Sequence, residues 1–341
     1  MTDTHLSQLI RLIAGDQATN DILETLQIDR TFLLERAGPV SRGAFAMALN
    51  AILFHELLQR VPTGAAYVAD RRRQRERISF DHGALRTVHF GSGPTGALPA
   101  GVQAFSRILE PLGYHVAGTY PLETLRMTGH AFAHREFPET LPQFFIGDLH
   151  IDRFSTEFQA AAARVFGTSR DPLGESAHAA LAEFSEHGRC GMRLAAPALR
   201  EIVAAFGRWH ATPSLADYQI LLAESAEGAW IATEGSAFNH ATDRVADVAM
   251  TACAQRSLGR PVNLAIDISD SGSVRQTAFR ADPVRRAFRN PDGSETEMTV
   301  PGSFYEFISR DVVTGPDGRR RLDLRFDASN AEQIFKMTAA G

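Results

Sequence analysis

Cysteine is scarce in this sequence: Cys190 and Cys253 are the only two in 341 residues, far apart and outside any C-x-x-C pair. That argues against a disulfide framework or a zinc ribbon and suits a reducing compartment. Long apolar runs are missing too. No stretch of about 18 apolar residues occurs, so no membrane-spanning helix is expected. Met1-Thr2-Asp3-Thr4-His5 lacks the basic and apolar regions of a secretory signal, and a cytoplasmic protein is expected. Neither sign of charge is in large surplus. A net charge of −5 with 44% apolar residues indicates neither a general nucleic-acid footprint nor intrinsic disorder. G-x-S-x-G elbows, P-loops and dinucleotide fingerprints are absent, which leaves hydrolase, NTPase and dehydrogenase readings without support.

The length allows a large core and even two or three domains, and one compact body of two halves fits. From Leu6 to about Leu58 apolar residues recur at helical spacing, broken at Gly38-Pro39, and predict about three helices that cover a sheet. Ser41 is a weak cap candidate. The basic run Arg71–Arg77 reads as a solvated turn or helix end, with an anion site as the rival reading. From Ile78 the pattern becomes strand-like, and alternation puts Phe80, His82, Ala84, Arg86 and Val88 on one face. A loop at Gly91–Gly96, a helix over 101–112 and strands over 114–120, 125–132 and 142–151 follow. Helices are predicted over 155–166, 175–185 and 195–206, and another opens behind Ser214. Ala229–Ala232 reads as a strand and Asp243–Arg256 as a helix. Further strands are expected over 262–268, 273–280, 304–310 and 321–326, with hairpin tips at Asp292-Gly293 and Asp317-Gly318 and a helical tail.

Three strand-like stretches carry the chemistry. Two contain His-x-x-x-Arg, as His82 to Arg86 and His240 to Arg244, and the third, Phe304–Arg310, contains Glu306. Two imidazoles and one carboxylate form the ligand set of a non-haem Fe(II) facial triad, which leaves positions open for substrate and oxygen. The repeated motif, beside two runs of strand, helix and further strands, points to a duplicated module. Competing histidines are weaker. His130-x-x-x-His134 has the spacing of a helical zinc pair but carries Ala131 where a zinc peptidase needs glutamate. His89 falls on the face opposite His82, and His115 and His150 lie in or near other strands.

Phe80-Asp81-His82-Gly83-Ala84-Leu85-Arg86-Thr87-Val88 resembles the His-Gly-Ala-x-Arg-Thr-Val signature of the 2-oxoadipate dioxygenase/decarboxylase (hydroxyglutarate synthase) family. Asn239-His240 and the Glu306 strand fall at the expected separations. More distantly, Phe304–Arg310 is similar to the last-strand motif of 4-hydroxyphenylpyruvate dioxygenases, of the vicinal-oxygen-chelate superfamily. The resemblance implies an α+β fold of two βαβββ-type modules forming a metal-binding sheet. The expected division is a helical lead-in (1–77), a first module (78–154), a helical insert (155–228) and a second module with a C-terminal tail (229–341).

It further implies that His82, His240 and Glu306 bind Fe(II), and that 2-oxoadipate and O2 become 2-hydroxyglutarate and CO2, a step of lysine catabolism. Arg86 would bind the substrate, and its reach along the strand suits a clamp on the distal carboxylate of a C6 diacid. Arg244 is a further substrate-binding candidate. The chain lacks the substantial C-terminal extension of longer family members. The rival readings are a dioxygenase of a different 2-oxo acid, aryl pyruvates included, and a non-catalytic protein of this fold that binds a metal or small anion.

Overall fold

The computed structural model describes residues 3–315 and 317–327. The lead-in comprises α1 (His5–Thr25), α2 (Arg30–Leu34), a short strand β1 (Val40–Ser41), α3 (Arg42–Arg60) and α4 (Pro62–Arg73). Ser41 caps α3 by accepting from the Ala44 amide, and Pro62 opens α4, where a missing N–H costs nothing. Every residue of α3 from Gly43 to Phe54 is buried, as expected of a helix that is apolar nearly all round. The basic run is the end of α4 and the turn beyond it: Arg71 pairs with Glu76, Arg72 with Asp21 and Glu24, and Arg73 with Asp70.

The first half continues with β2 (Phe80–His89), α5 (Gln103–Leu109), β3 (Tyr114–Leu122), β4 (Met127–His134) and β5 (Gln143–His150), the expected order of strand, helix and three strands. The insert holds α6 (Thr156–Phe166), α7 (Glu175–His187), β6 (Arg189–Cys190, paired with β1), α8 (Met192–Ala205), α9 (Leu215–Glu224) and α10 (Ala226–Glu234). Ser155 and Ser214 cap α6 and α9. The strand expected at Ala229–Ala232 is instead the middle of α10. A short apolar run does not distinguish a strand from a buried helix, and Ser225 starts this one by accepting from the Gly228 amide.

The second half runs β7 (His240–Arg244), α11 (Val248–Ser257), β8 (Asp267–Ile268), β9 (Val274–Ala278), β10 (Pro283–Arg289), β11 (Glu295–Pro301) and β12 (Phe304–Arg310), then β13 (Val312–Thr314) and β14 (Arg320–Leu322). The helix expected from Asp243 begins later, behind Asp247, because β7 runs on to Arg244. The strand expected over 262–268 shrinks to β8 and one isolated bridge, Val262 to Phe279. Asp292-Gly293 and Asp317-Gly318 lie at the tips of the β10–β11 and β13–β14 hairpins. The expected helical tail falls outside the described residues.

Eight strands form one curled sheet in the order β3-β4-β5-β2-β7-β12-β9-β8. Each half places its first strand parallel to its last, β2 with β5 and β7 with β12, and the halves join through the antiparallel pair β2–β7. This is the paired arrangement expected for the α+β fold. Leu85, Phe144, Ile146, Tyr305 and Phe307 pack against the lead-in helices on one face. Ala84, Val88, Phe145 and Leu149 pack with Phe158, Trp230 and Ile231 of α6 and α10 on the other. No helix of the described residues is long and apolar enough to cross a membrane.

Strict alternation fails at one point along β2. The β2–β7 register shifts between Phe80 and His82, so Asp81 is an extra residue in the ladder. Phe80 therefore turns into the helix-side core, 5.0 Å from the Phe54 ring centroid, rather than sharing the face of His82.

Candidate metal centre

His82, His240 and Glu306 stand on the adjacent strands β2, β7 and β12. Thr242 lies in register with both His82 and Glu306. All three side chains are buried, and their ligand atoms lie within 4.8 Å of one another. His82 Nε2 is 3.3 Å and His240 Nε2 3.2 Å from Glu306 Oε2. Facial ligands about 2.1 Å from an ion at right angles lie about 3 Å apart, so the two His–Glu distances suit donors that share a divalent metal. Burial alone would raise the Glu306 pKa, but the two histidines outweigh it and hold the carboxyl at about 2.

The outer nitrogens are engaged, which turns both Nε2 atoms inward. His82 Nδ1 lies 2.9 Å from Asp81 Oδ1, and His240 Nδ1 lies 3.2 Å from Asn239 Oδ1. The bulge directs Asp81 to this face, where Arg310 Nε and Nη2 donate to its carboxylate at 2.9–3.1 Å. Burial opposes ionisation of Asp81, yet Arg310 and His82 hold it well below the usual carboxylate range. Thr242 donates to Glu306 Oε2 at 2.6 Å.

Aromatic rings wall the cluster. Phe304 stacks on His240 at 4.6 Å, and Phe326 meets His82 edge-on at 4.9 Å. Phe326 belongs to a segment after β14 that crosses to the first half: Gln143 donates to Leu324 O, and the Phe326 amide donates to the Tyr120 hydroxyl.

Arg86 is fully buried on the face of His82. Its Nη2 lies 2.6 Å from Glu227 Oε2 on α10 and 3.2 Å from Asn239 Oδ1, and its guanidinium covers the Trp230 ring at 4.7 Å. Burial lowers its pKa to about 10 against the pull of Glu227, so it stays charged at neutral pH. Arg244 contacts Ser79 Oγ and Glu139 O at 3.3 Å and lies 3.7 Å from Asp81.

The other histidines stand apart from the cluster. His130 and His134 are on strand β4, and His134 Nε2 meets Leu112 O at 3.0 Å. His89 lies edge-on to His150, which meets the Thr128 hydroxyl. His115 is on β3.

Sequence reasoning left Glu227, Thr242 and Arg310 without a role. Glu227 lies in a segment read as leading into a strand, and Arg310 meets Asp81 only through the fold. The residues preceding each histidine, Asp81 and Asn239, were a signal open to reading, since an outer acceptor is what a ligating imidazole needs.

Among solved structures, the chain is 45% identical to a glyoxalase-superfamily protein from Ralstonia eutropha, over 96% of this chain and 99% of that one, with a TM-score of 0.90. It shares the fold of the hydroxyglutarate synthase from Oryza sativa solved with 2-oxoadipate, at 21% identity over 89% and 96% of the two chains and a TM-score of 0.65. The enzyme of the same name from Pseudomonas putida, also solved with 2-oxoadipate, is 20% identical over 89% of this chain and 74% of its own, with a TM-score of 0.61. No curated protein matches. The family profile for 2-oxoadipate dioxygenase/decarboxylase matches residues 53–338, a span that includes all three converging side chains, and the chain belongs to that family.

Proposed function

We propose that this protein is an Fe(II)-dependent dioxygenase/decarboxylase of a 2-oxo acid, with His82, His240 and Glu306 holding the metal and Arg86 beside the substrate. The convergence of two imidazole nitrogens and one carboxylate oxygen from three strands carries this reading, within a chain of this family. Fe(II) held by three protein ligands would offer its open positions to the 2-oxo acid and to O2. The reaction in view takes 2-oxoadipate and O2 to 2-hydroxyglutarate and CO2.

The chain's own contribution is positioning. Asp81 and Asn239 fix the two ring orientations, Arg310 anchors Asp81, and the Thr242 hydroxyl fixes the rotation of the Glu306 carboxyl. Phe304 and Phe326 keep water from the flanks of the imidazoles. Arg86 places a permanent positive charge one hydrogen-bonded residue away from His240.

The test is oxygen uptake by protein reconstituted anaerobically with Fe(II), across a panel of 2-oxo acids. Turnover of one such acid without a co-substrate is expected, with one CO2 released per O2. With 18O2, one label should enter the new carboxylate and one the new hydroxyl. A strict requirement for added 2-oxoglutarate, or a hydroxyl oxygen drawn wholly from water, overturns the reading.

A further inference from the structure

One buried donor beside the cluster lacks an acceptor. Asn239 is 1% exposed, and its Nδ2 has no hydrogen-bond partner among the described residues. Turning the amide round cannot relieve this. Arg86 Nη2 donates to Oδ1 at 3.2 Å and has no lone pair to offer in return, so the carbonyl faces the arginine and the NH2 group faces elsewhere. His240 Nδ1 takes the same oxygen at 3.2 Å. The main chain is fixed as well: the Asn239 amide donates to Ala84 O at 2.7 Å, and Asn239 O accepts from the Phe304 amide at 3.0 Å, which ties the residue to β2 and β12. A buried donor held this rigidly without an acceptor is costly, and its partner has to come from outside the polypeptide.

The place of the amide says which part of a substrate it meets. His240 turns Nε2 toward Glu306 and Nδ1 toward Asn239, so the imidazole ring separates the amide from the other two ligands. The keto oxygen and C1 carboxylate of a 2-oxo acid, as groups that would chelate the ion, belong on the cluster side of that ring. An NH2 group beyond it, beside a guanidinium, suits an anionic oxygen several bonds farther along the substrate. We infer that Asn239 is a specificity-determining residue, whose Nδ2 donates to the second carboxylate of a 2-oxo diacid alongside Arg86. This rests on the reading of His82, His240 and Glu306 as the metal centre. A monoacid of the same length leaves the donor orphaned, and a site built to hydrogen-bond a group rejects the analogue that lacks it.

The matched pair 2-oxoadipate and 2-oxohexanoate differs only in the terminal carboxylate. Calorimetric binding of each to the full chain loaded with Co(II), without oxygen, reads selectivity independently of turnover. The native protein is expected to bind 2-oxoadipate about 100-fold or more tighter. Asn239→Asp keeps an oxygen for Arg86 and His240 but removes the donor. Asn239→Ala removes the donor without adding a charge, and leaves Arg86 its Glu227 partner at 2.6 Å. Each should lose about tenfold or more of the preference for the diacid, with little change for 2-oxohexanoate. In the native chain loaded with Zn(II), the side-chain NH2 resonance of Asn239 should shift more with 2-oxoadipate than with 2-oxohexanoate. A native protein without preference for 2-oxoadipate, or an NH2 resonance that the two acids move alike, overturns the inference. So does a preference lost in Asn239→Asp but kept in Asn239→Ala, which would be the new charge acting on Arg86. Should neither acid consume O2 once Fe(II) is bound, the proposed function fails, while the binding ratio still decides the role of Asn239.

Discussion

β2 and β7 carry corresponding histidines, yet their surroundings differ. On β2, which is 10 residues long, His82 leans on a carboxylate, and that carboxylate is held by Arg310. On β7, which is 5 residues long, His240 leans on the neutral amide of Asn239, and the same amide oxygen accepts from Arg86. A charged partner makes an imidazole the stronger donor to a metal, and a neutral one leaves it weaker. Two corresponding strands thus present their histidines differently: on the proposed reading, His82 is the stronger donor to a metal, and His240 is tied to the arginine assigned to the substrate side.

The largest disruption expected is Glu306→Gln, which removes the one carboxylate of the proposed ligand set. Metal affinity should fall by more than about 100-fold, beyond the 10- to 100-fold typical of residues that support ligands, as read by chelator competition. Arg86→Lys should keep its metal but lose roughly 100-fold in kcat/KM, because an ammonium cannot reproduce the planar fork of the guanidinium. Unchanged kinetics would remove Arg86 from the substrate side.

The comparison itself is sharpened by Asp81→Asn against Asn239→Ala. The first should weaken metal binding about 10- to 100-fold, the second less than about tenfold. Only the first should also cost about 3–5 kcal/mol of stability, since it leaves the buried Arg310 without its counter-charge. Equal effects on metal affinity would erase the asymmetry.

The smallest effect lies behind β7. Asp243 faces the helices, accepting from the Tyr67 hydroxyl and the Ser79 amide. Burial raises its pKa to about 6 against those two donors. The folded state therefore favours the protonated form, so this contribution to stability is full below the ordinary carboxylate value and is lost as pH rises through about 6. Relative to the native chain, Asp243→Asn should gain about 2–3 kcal/mol between pH 4 and pH 7 in urea denaturation. A difference that does not change with pH would dismiss it.

The sheet and the cluster were legible in the sequence to different depths. Phe304–Arg310 reads as a strand with Glu306 on one face because its flanking aromatic and β-branched residues suit a pleated surface, and β12 has those bounds. His82 and Ala84 could be placed by alternation, but Phe80 could not, since a bulge leaves no mark in a two-residue period. Glu227 was out of reach for another reason: its meaning lies in a contact with Arg86, and the helix that presents it looks like a strand in an apolar window. Arg310 was named as the end of a strand, without a purpose, because its partner lies at the other end of the chain.

The central position of β2 has a consequence for synthesis of the chain. Its neighbours are β5, made soon after it, and β7, which follows the whole helical insert. Until β7 emerges from the ribosome, β2 is an open strand edge of the kind that recruits wrong partners. Its imidazole then waits for a carboxylate near the end of the chain. If the proposed metal centre is right, metal loading follows translation, and a chain truncated within the insert offers a sticky edge where the finished protein has a central strand buried along nearly its whole length.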